Sequence, residues 1–230
     1  MKKKLVVFSG AGISAESGVK TFRDSNGLWE NHRVEDVASP EGFERNPQMV
    51  LDFYNARRKQ LNEVEPNKAH LVLAELESFF EVAIVTQNVD DLHERAGSTN
   101  VLHLHGELKK ARPVNSIKNS IPWEKDLNVG DLNFEGIQLR PDIVWFGEMV
   151  LEMDQAIAIT SEADLFLVIG TSMLVYPAAG LIHYIPERCK VYVIDPNLPN
   201  NYTETQNHFK KSATEGMELF RNIILDHTNN

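Results

Sequence analysis

Cysteine is nearly absent from this chain of 230 residues, where Cys189 stands alone. A single thiol excludes an internal disulfide framework and any metal site built from several cysteines. Long hydrophobic runs are also missing. The basic start Met1-Lys2-Lys3-Lys4 leads into Leu5-Val6-Val7-Phe8 and stops at Gly10, and an apolar run of about five residues is too short for a secretory signal core. A cytoplasmic location without a membrane partner is therefore expected. Positive charge is scarce: 23 Lys and Arg face 33 Asp and Glu, giving a net charge of −10. That balance opposes the basic footprint of a nucleic-acid binder, so no nucleic-acid partner is expected. Any anionic ligand must rely on local donors. No internal repeat or low-complexity linker divides the chain, and 42% hydrophobic with 24% charged residues is ordinary for a globular protein. One domain over 1–230 is expected.

Leu5-Val6-Val7-Phe8 is rich in β-branched residues and reads as a buried parallel strand. It delivers Gly10-Ala11-Gly12-Ile13-Ser14-Ala15, in which Gly10, Gly12 and Ala15 fit the G-x-G-x-x-G/A dinucleotide fingerprint. The glycines alone are explained equally well by a plain turn. The second strand that usually follows, ending in an acid about 20 residues on, is missing, because Thr21 to Gly27 reads as loop.

Asn46-Pro47 has the form of an N-cap and first helical position, and the apolar pattern predicts a helix through Leu61 with Val50, Tyr54, Arg57 and Leu61 on one stripe. A second helix is predicted from Pro66-Asn67, burying Ala69, Val72, Leu73, Leu76 and Phe80. Two helices in succession suggest an insertion into an α/β framework. The framework resumes with a strand at 82–86, followed by Gln87-Asn88-Val89-Asp90-Asp91 and a short helix stopped by Gly97. Val101 to His105 alternates with period two, which predicts a strand ended by Gly106 with Val101, His103 and His105 on one side. Residues 107–140 show no convincing helix or strand and are expected to form a small irregular module. Further predictions are an apolar segment at 141–148, a helix to about Ala163, a strand ending in Gly170-Thr171-Ser172, a helix after Pro177, a strand at 191–194 ending in Asp195-Pro196-Asn197, and a closing helix near 214–225.

In an open parallel sheet the ends of these four strands share one edge, where ligands bind. Asn, Asp, Ser and Thr at any one end are sufficiently explained as helix caps. All four ends together, with the fingerprint, point to a ligand site. The motifs GAGIS, TFRDSNGLW, TQNVDDLHERAG, HLHGEL, PDIVWFGE and GTS, in this order and spacing, resemble the sirtuins, NAD-dependent protein lysine deacylases, from Gly10 to about Ala213. The resemblance implies an α/β fold with a Rossmann-like parallel sheet, helices on both faces, and a small domain made of a helical insertion and a module that here lacks the family's zinc cysteines. The large part is expected at 1–30, 82–107 and 142–230, and the small domain at 31–81 and 108–141.

By that resemblance NAD is held by Gly10, Ala11, Gly12, Ile13, Ala15, Phe22, Arg23, Trp29, Gln87, Asn88, Val89, Asp90, Gly170, Thr171, Ser172, Asp195, Pro196, Asn197 and Ala213. Asp195 stands where many members have Asn. His105 takes the catalytic position as general base for a ribose hydroxyl, a task that suits an imidazole near pH 7. Asn88 would orient the ribose, and Asp90 would grip the nicotinamide carboxamide. His103 is expected to be a supporting or core histidine. Val144, Trp145, Phe146, Gly147 and Glu148 would bind the acylated lysine peptide by strand addition. The products would be free lysine, nicotinamide and O-acyl-ADP-ribose.

Tyr54 and Arg57 lie three apart, so they share a helix face. Arg57 interrupts an apolar stripe, where a guanidinium meets an anion or snorkels to water. The pair resembles the Tyr-x-x-Arg of sirtuins that remove succinyl and malonyl groups. No cysteine lies between Glu107 and Arg140, so the family's zinc site cannot form there in its usual way. A zinc-free module packed around Trp123, Leu127, Leu132 and Phe134 is expected, in a monomer. A second enzyme reading is NAD hydrolysis or ADP-ribosyl transfer from the same pocket. A third, a non-catalytic NAD or ADP-ribose sensor, is opposed by the presence of His105 with Asn88 and Asp90.

Overall fold

The computed structural model describes residues 2–20, 28–29, 32–197 and 207–226. In chain order its elements are β1 (Lys4–Ser9), α1 (Gly12–Ala15), β2 (Leu28–Trp29), β3 (His32–Arg33), α2 (Val34–Val37), α3 (Pro40–Arg45), α4 (Pro47–Glu63), α5 (Lys68–Leu76), β4 (Glu81–Thr86), α6 (Leu92–Arg95), β5 (Val101–His103), β6 (Gly106–Pro113), β7 (Ile121–Pro122), β8 (Leu139–Ile143), α7 (Met153–Ser161), β9 (Leu165–Ile169), a 3₁₀ helix (Ala178–Tyr184), β10 (Lys190–Ile194), β11 (His208–Phe209) and α8 (Ala213–Asp226).

The apolar runs become a parallel sheet in the order β11-β10-β9-β1-β4-β5. β1, β4 and β9 are buried on both faces, as expected of continuous Val/Ile/Leu segments. One face carries Leu5, Val7 and Ile84 against Leu73 and Leu76 of α5 and Met217 and Phe220 of α8. The other carries Val6, Phe8 and Val168 against Ala156 of α7 and Ala179 and Leu181 of the 3₁₀ helix. Helices thus cover both faces.

Local signals place the helices well. Asn46 Oδ1 accepts from Met49 N at 3.1 Å to start α4, and Asn67 caps α5 with His70 returning the bond. Packing corrects the expected grouping: residues 68–80, counted with the small domain, lie on the sheet through Ala69, Val72, Leu73, Leu76 and Phe80.

Three other expectations change. The strand predicted to His105 ends at His103, because Leu104 and His105 form a turn, and Gly106 (φ +78) opens β6 instead of closing β5. The stretch expected to be irregular contains an antiparallel sheet ordered β7-β6-β8. A register shift between Glu107 and Ala111 breaks the alternation that would have marked β6. Finally, Leu127 and Trp123 do pack inside this module, with Leu51, Ala111, Leu139 and Phe43, but Leu132 is 52% and Phe134 96% exposed. They belong to its surface.

Candidate active site

Parallel register fixes the level of the strand ends: Ser9 pairs with Thr86 and Ile169, and Ile169 with Ile194. The loops after β1, β4, β9 and β10 therefore emerge side by side. They are stitched by backbone bonds from Gln87 N to Ser9 O (2.9 Å), Gly10 N to Ile169 O (3.0 Å) and Gly12 N to Gly170 O (2.8 Å). A Cβ on Gly12 would lie 2.7 Å from Gly170 Cα, and one on Gly170, whose φ is +63, would lie 2.3 Å from Ile13 N. Contact between the two loops alone requires these glycines. α1 has only four residues, so little helix dipole is available to an anion there.

Side chains on these loops fix one another. Ser14 Oγ donates to Asp90 Oδ2 at 2.9 Å and accepts from Asn88 Nδ2 at 3.2 Å. Leu92 N donates to Asp90 Oδ1 at 3.2 Å. Asp90 is buried, and burial raises its pKa although Ser14 and Leu92 oppose the shift. Gln87 Nε2 donates to Thr171 Oγ1 at 2.9 Å. Ser14, inside the glycine motif but not among the sequence candidates, thus links the carboxylate of Asp90 to the amide of Asn88.

His105 stands in the turn after β5, its Nδ1 3.1 Å from Gln87 O. A carbonyl only accepts, so Nδ1 carries the proton and Nε2 presents a lone pair. Burial lowers the His105 pKa, with the Gln87 carbonyl as a weaker opposing influence. The ring is neutral near pH 7 and can take up a proton at Nε2.

Tyr54 and Arg57 both lie on α4, and only Arg57 lines the cavities beside the site. Tyr54 is fully buried, and its oxygen accepts from Trp145 Nε1 at 2.9 Å. Desolvation pushes its pKa well above the ordinary phenol range. Arg57, also buried, has its guanidinium carbon 5.8 Å from the Phe53 ring centroid. It lines an open cavity of about 650 Å³ with Asn46, Met49 and Phe53, and a narrow one of about 20 Å³ with Val89, Asp90 and Leu108. The second cavity joins α4 to the Asp90 loop.

The Val144 to Glu148 segment is partly committed to the protein itself. Val144 N donates to His105 O (2.9 Å), Trp145 N to Glu148 Oε2 (2.8 Å) and Phe146 N to Ala38 O (3.0 Å). A strand added here finds those three N–H groups occupied. Gly147 has φ +89, and Phe146 is half exposed. The Glu148 carboxylate is held by Arg112 Nη2 (3.1 and 3.2 Å) and by Arg140 Nη1 and Nη2 (2.6 and 3.0 Å). Burial opposes its ionisation, but the two guanidiniums keep its pKa below the usual range. Arg140 also lies 3.2 Å over the Trp145 ring centroid. These arginines come from the stretch that showed no regular pattern.

Of the remaining candidates, Thr171 is buried and Ser172 half-buried beside Met173, a non-glycine at φ +56. Buried Asp195 accepts from Asn197 N at 2.8 Å in an Asx turn, with Pro196 and Asn197 exposed. Ala213 opens α8, where Thr214 N and Oγ1 donate to Glu16 (2.9 and 2.7 Å). Trp29 pairs with His32 in a two-residue strand. Phe22 and Arg23 lie outside the described residues. Among the described residues, no group of three or more His, Cys, Asp or Glu is placed to hold a metal ion, and no helix is long and apolar enough to cross a membrane.

The Sir2 family pattern matches residues 10–177. An "NAD-dependent protein deacylase" of Bacteroides thetaiotaomicron is 52% identical over 230 residues, covering 97% of this chain and 98% of the relative. A solved Sir2 homologue mutant in complex with ADP-ribose superposes with a TM-score of 0.89 at 37% identity, covering 99% of this chain and 94% of that one. A Sir2 homologue bound to NAD gives 0.84 at 38% identity, covering 98% and 91%. With the family pattern spanning most of its length and a relative more than half identical from end to end, this chain belongs to the Sir2 family.

Proposed function

We propose that this protein removes acyl groups from lysine side chains of proteins with consumption of NAD, releasing nicotinamide and O-acyl-ADP-ribose. The observation that carries the reading is His105: neutral, with Nε2 free to accept a proton, on the same loops as the Ser14–Asn88–Asp90 network. The residues fit the cofactor, since Asp90 is a buried carboxylate at the wall of a cavity and its orientation is fixed by two donors. Bound there, NAD would supply an electrophilic C1′ carbon for the acyl oxygen, with nicotinamide as leaving group. His105 Nε2 then removes the proton from a ribose hydroxyl. Asn88 orients the ribose, and Asp90 accepts from the carboxamide. The remaining strand-end residues from Gly10 to Asn197, with Ala213, contact the cofactor.

For the acylated peptide, Phe146, Met149, Leu151, Leu174 and Tyr176 are exposed, and Val150 and Met173 share one apolar cluster. This exposed apolar surface suits contact with the peptide. The Tyr54 oxygen already accepts from Trp145, so its own O–H is available to donate, and the Arg57 guanidinium lies on the same helix face. A succinyl or malonyl carboxylate suits that pair, so we assign desuccinylase or demalonylase activity beside deacetylase activity. The small module works without zinc, as a cytoplasmic monomer; stoichiometric zinc in the purified protein would overturn the first point.

Chromatographic detection of nicotinamide with acetyl-, malonyl- and succinyl-peptides tests the whole. Release that depends on acyl peptide, and that falls by several orders of magnitude in His105→Tyr, is expected. Release at equal rate without peptide would replace the reading with NAD hydrolysis or ADP-ribosyl transfer.

A further inference from the structure

Two residues before His105, a second histidine reaches the same loop. His103 Nδ1 lies 2.8 Å from Asn88 O, and His103 Nε2 lies 2.8 Å from Glu94 Oε1. Its side chain is only 7% exposed. A backbone carbonyl and an ionised carboxylate both accept and neither donates. Both ring nitrogens therefore carry protons, and the ring is an imidazolium. His105, with one carbonyl partner, is neutral. The His-x-His spacing thus sends two rings in opposite protonation states to the carbonyls of consecutive residues, Gln87 and Asn88.

We propose that His103 is a positioning residue: its doubly protonated ring, clamped between Glu94 of α6 and the Asn88 carbonyl, sets the backbone from which Asn88 and Asp90 project into the reaction. A neutral ring that kept its bond to Glu94 would turn a lone pair toward the Asn88 oxygen and push that carbonyl away. Charges facing His103 favour the protonated form. Burial disfavours it, but Glu94, the Asn88 carbonyl and Glu107 of β6 outweigh burial and raise its pKa, and Glu94 is lowered in return. Asp90 also faces it, protonation of the neighbouring His93 would oppose it, and Lys110 of β6 faces Glu94. Activity then needs His105 neutral and His103 charged, which confines it to a pH window with two separate limbs.

The inference rests on the deacylase reading above, and the two can fail separately. The test is kcat/KM for NAD against pH, with saturating acetyl-peptide, for the wild type, Glu94→Gln and His103→Gln. Glu94→Gln is expected to leave the acid limb in place and move the alkaline limb to lower pH, because the anion that favours the imidazolium is gone. His103→Gln is expected to lose the alkaline limb and about ten-fold of the plateau, the order expected for a charged hydrogen bond, with the peptide KM unchanged. Independently of any variant, ¹⁵N NMR of the wild-type ring should show both His103 nitrogens protonated at neutral pH. Superimposable profiles for wild type and Glu94→Gln, or a singly protonated ring, would overturn the role of His103. Absence of acyl-dependent nicotinamide release from the wild type would overturn the deacylase reading first.

Discussion

Acid should weaken this fold through two histidines behind the site. His70 and His93 are fully buried, with ring centroids 5.0 Å apart. His70 Nδ1 accepts from Asn67 N at 3.3 Å, and His93 Nε2 lies 3.0 Å from Ser9 Oγ, whose proton goes to Thr86. His70 Nε2 and His93 Nδ1 have no hydrogen-bond partner among the described residues. Burial pushes the His70 pKa from 6.5 down to about 4 and that of His93 well below its usual value. In the unfolded chain both protonate near pH 6.5, so below that pH the unfolded state binds more protons and stability falls as pH falls. For His70 the loss is complete only near its folded pKa of about 4, and linkage gives about 2 kcal/mol between pH 7.5 and 5. The raised pKa of His103 acts in the opposite sense, adding stability below pH 6.5, so the wild-type curve alone does not isolate the pair. His70→Gln isolates the His70 share, because Gln at this third helical position can still return the capping bond to Asn67 N. Urea unfolding at both pH values should show the wild type losing about 2 kcal/mol more than the variant. Parallel losses within about 0.5 kcal/mol, far below that linkage term, would refute the reasoning.

Arg57→Met should lower succinyl-peptide kcat/KM by about ten- to a hundred-fold, the loss expected of a charge-assisted hydrogen bond. Acetyl-peptide turnover should stay within about three-fold; the reverse pattern in paired assays would sink the carboxylate pocket. Glu148→Gln strips the carboxylate from buried Arg140, while Arg112 keeps Asp142 Oδ1 at 3.4 Å, and breaking the buried pair costs about 3 kcal/mol. Denaturant midpoints unchanged by the substitution would show that Arg140 is satisfied elsewhere. Trp145→Phe removes the donor to Tyr54 and should destabilise by about 1 kcal/mol while raising the succinyl-peptide KM. Gly170→Ala, at φ +63 with its Cβ 2.3 Å from Ile13 N, should cost about 3 kcal/mol and weaken NAD binding by calorimetry. Wild-type affinity there would show that the two loops need not touch.

Much of this was legible in the chain because it was local. Continuous apolar runs gave β1, β4, β9 and β10, and Asn46-Pro47 and Asn67 marked helix starts that the structure keeps. What escaped was non-local. β6 pairs with β8 across the intervening segment 114–138, and its alternation is broken by a bulge. Phe134 looked like core by composition, yet nothing in the sequence tells which face of a short loop turns outward. The glycine motif fits the dinucleotide fingerprint, and the structure adds a demand invisible in the sequence, close contact with Gly170, more than 150 residues away. Arg112 and Arg140 carried no pattern, because an ion pair needs proximity in space and leaves no periodicity behind.

The cluster joining Arg112, Arg140 and Glu148 also bears on the chemical environments this protein can tolerate. The module from 106 to 143 contains no thiol, and Cys189, the only one in the chain, lies beyond it with its pKa raised by burial. Guanidiniums and a carboxylate offer a chelator nothing to extract and an oxidant no thiolate to attack. If the module also holds no zinc, as proposed above, a protein fastened in this way would go on deacylating under peroxide stress or metal starvation. Its small module would be vulnerable instead to acid strong enough to protonate Glu148.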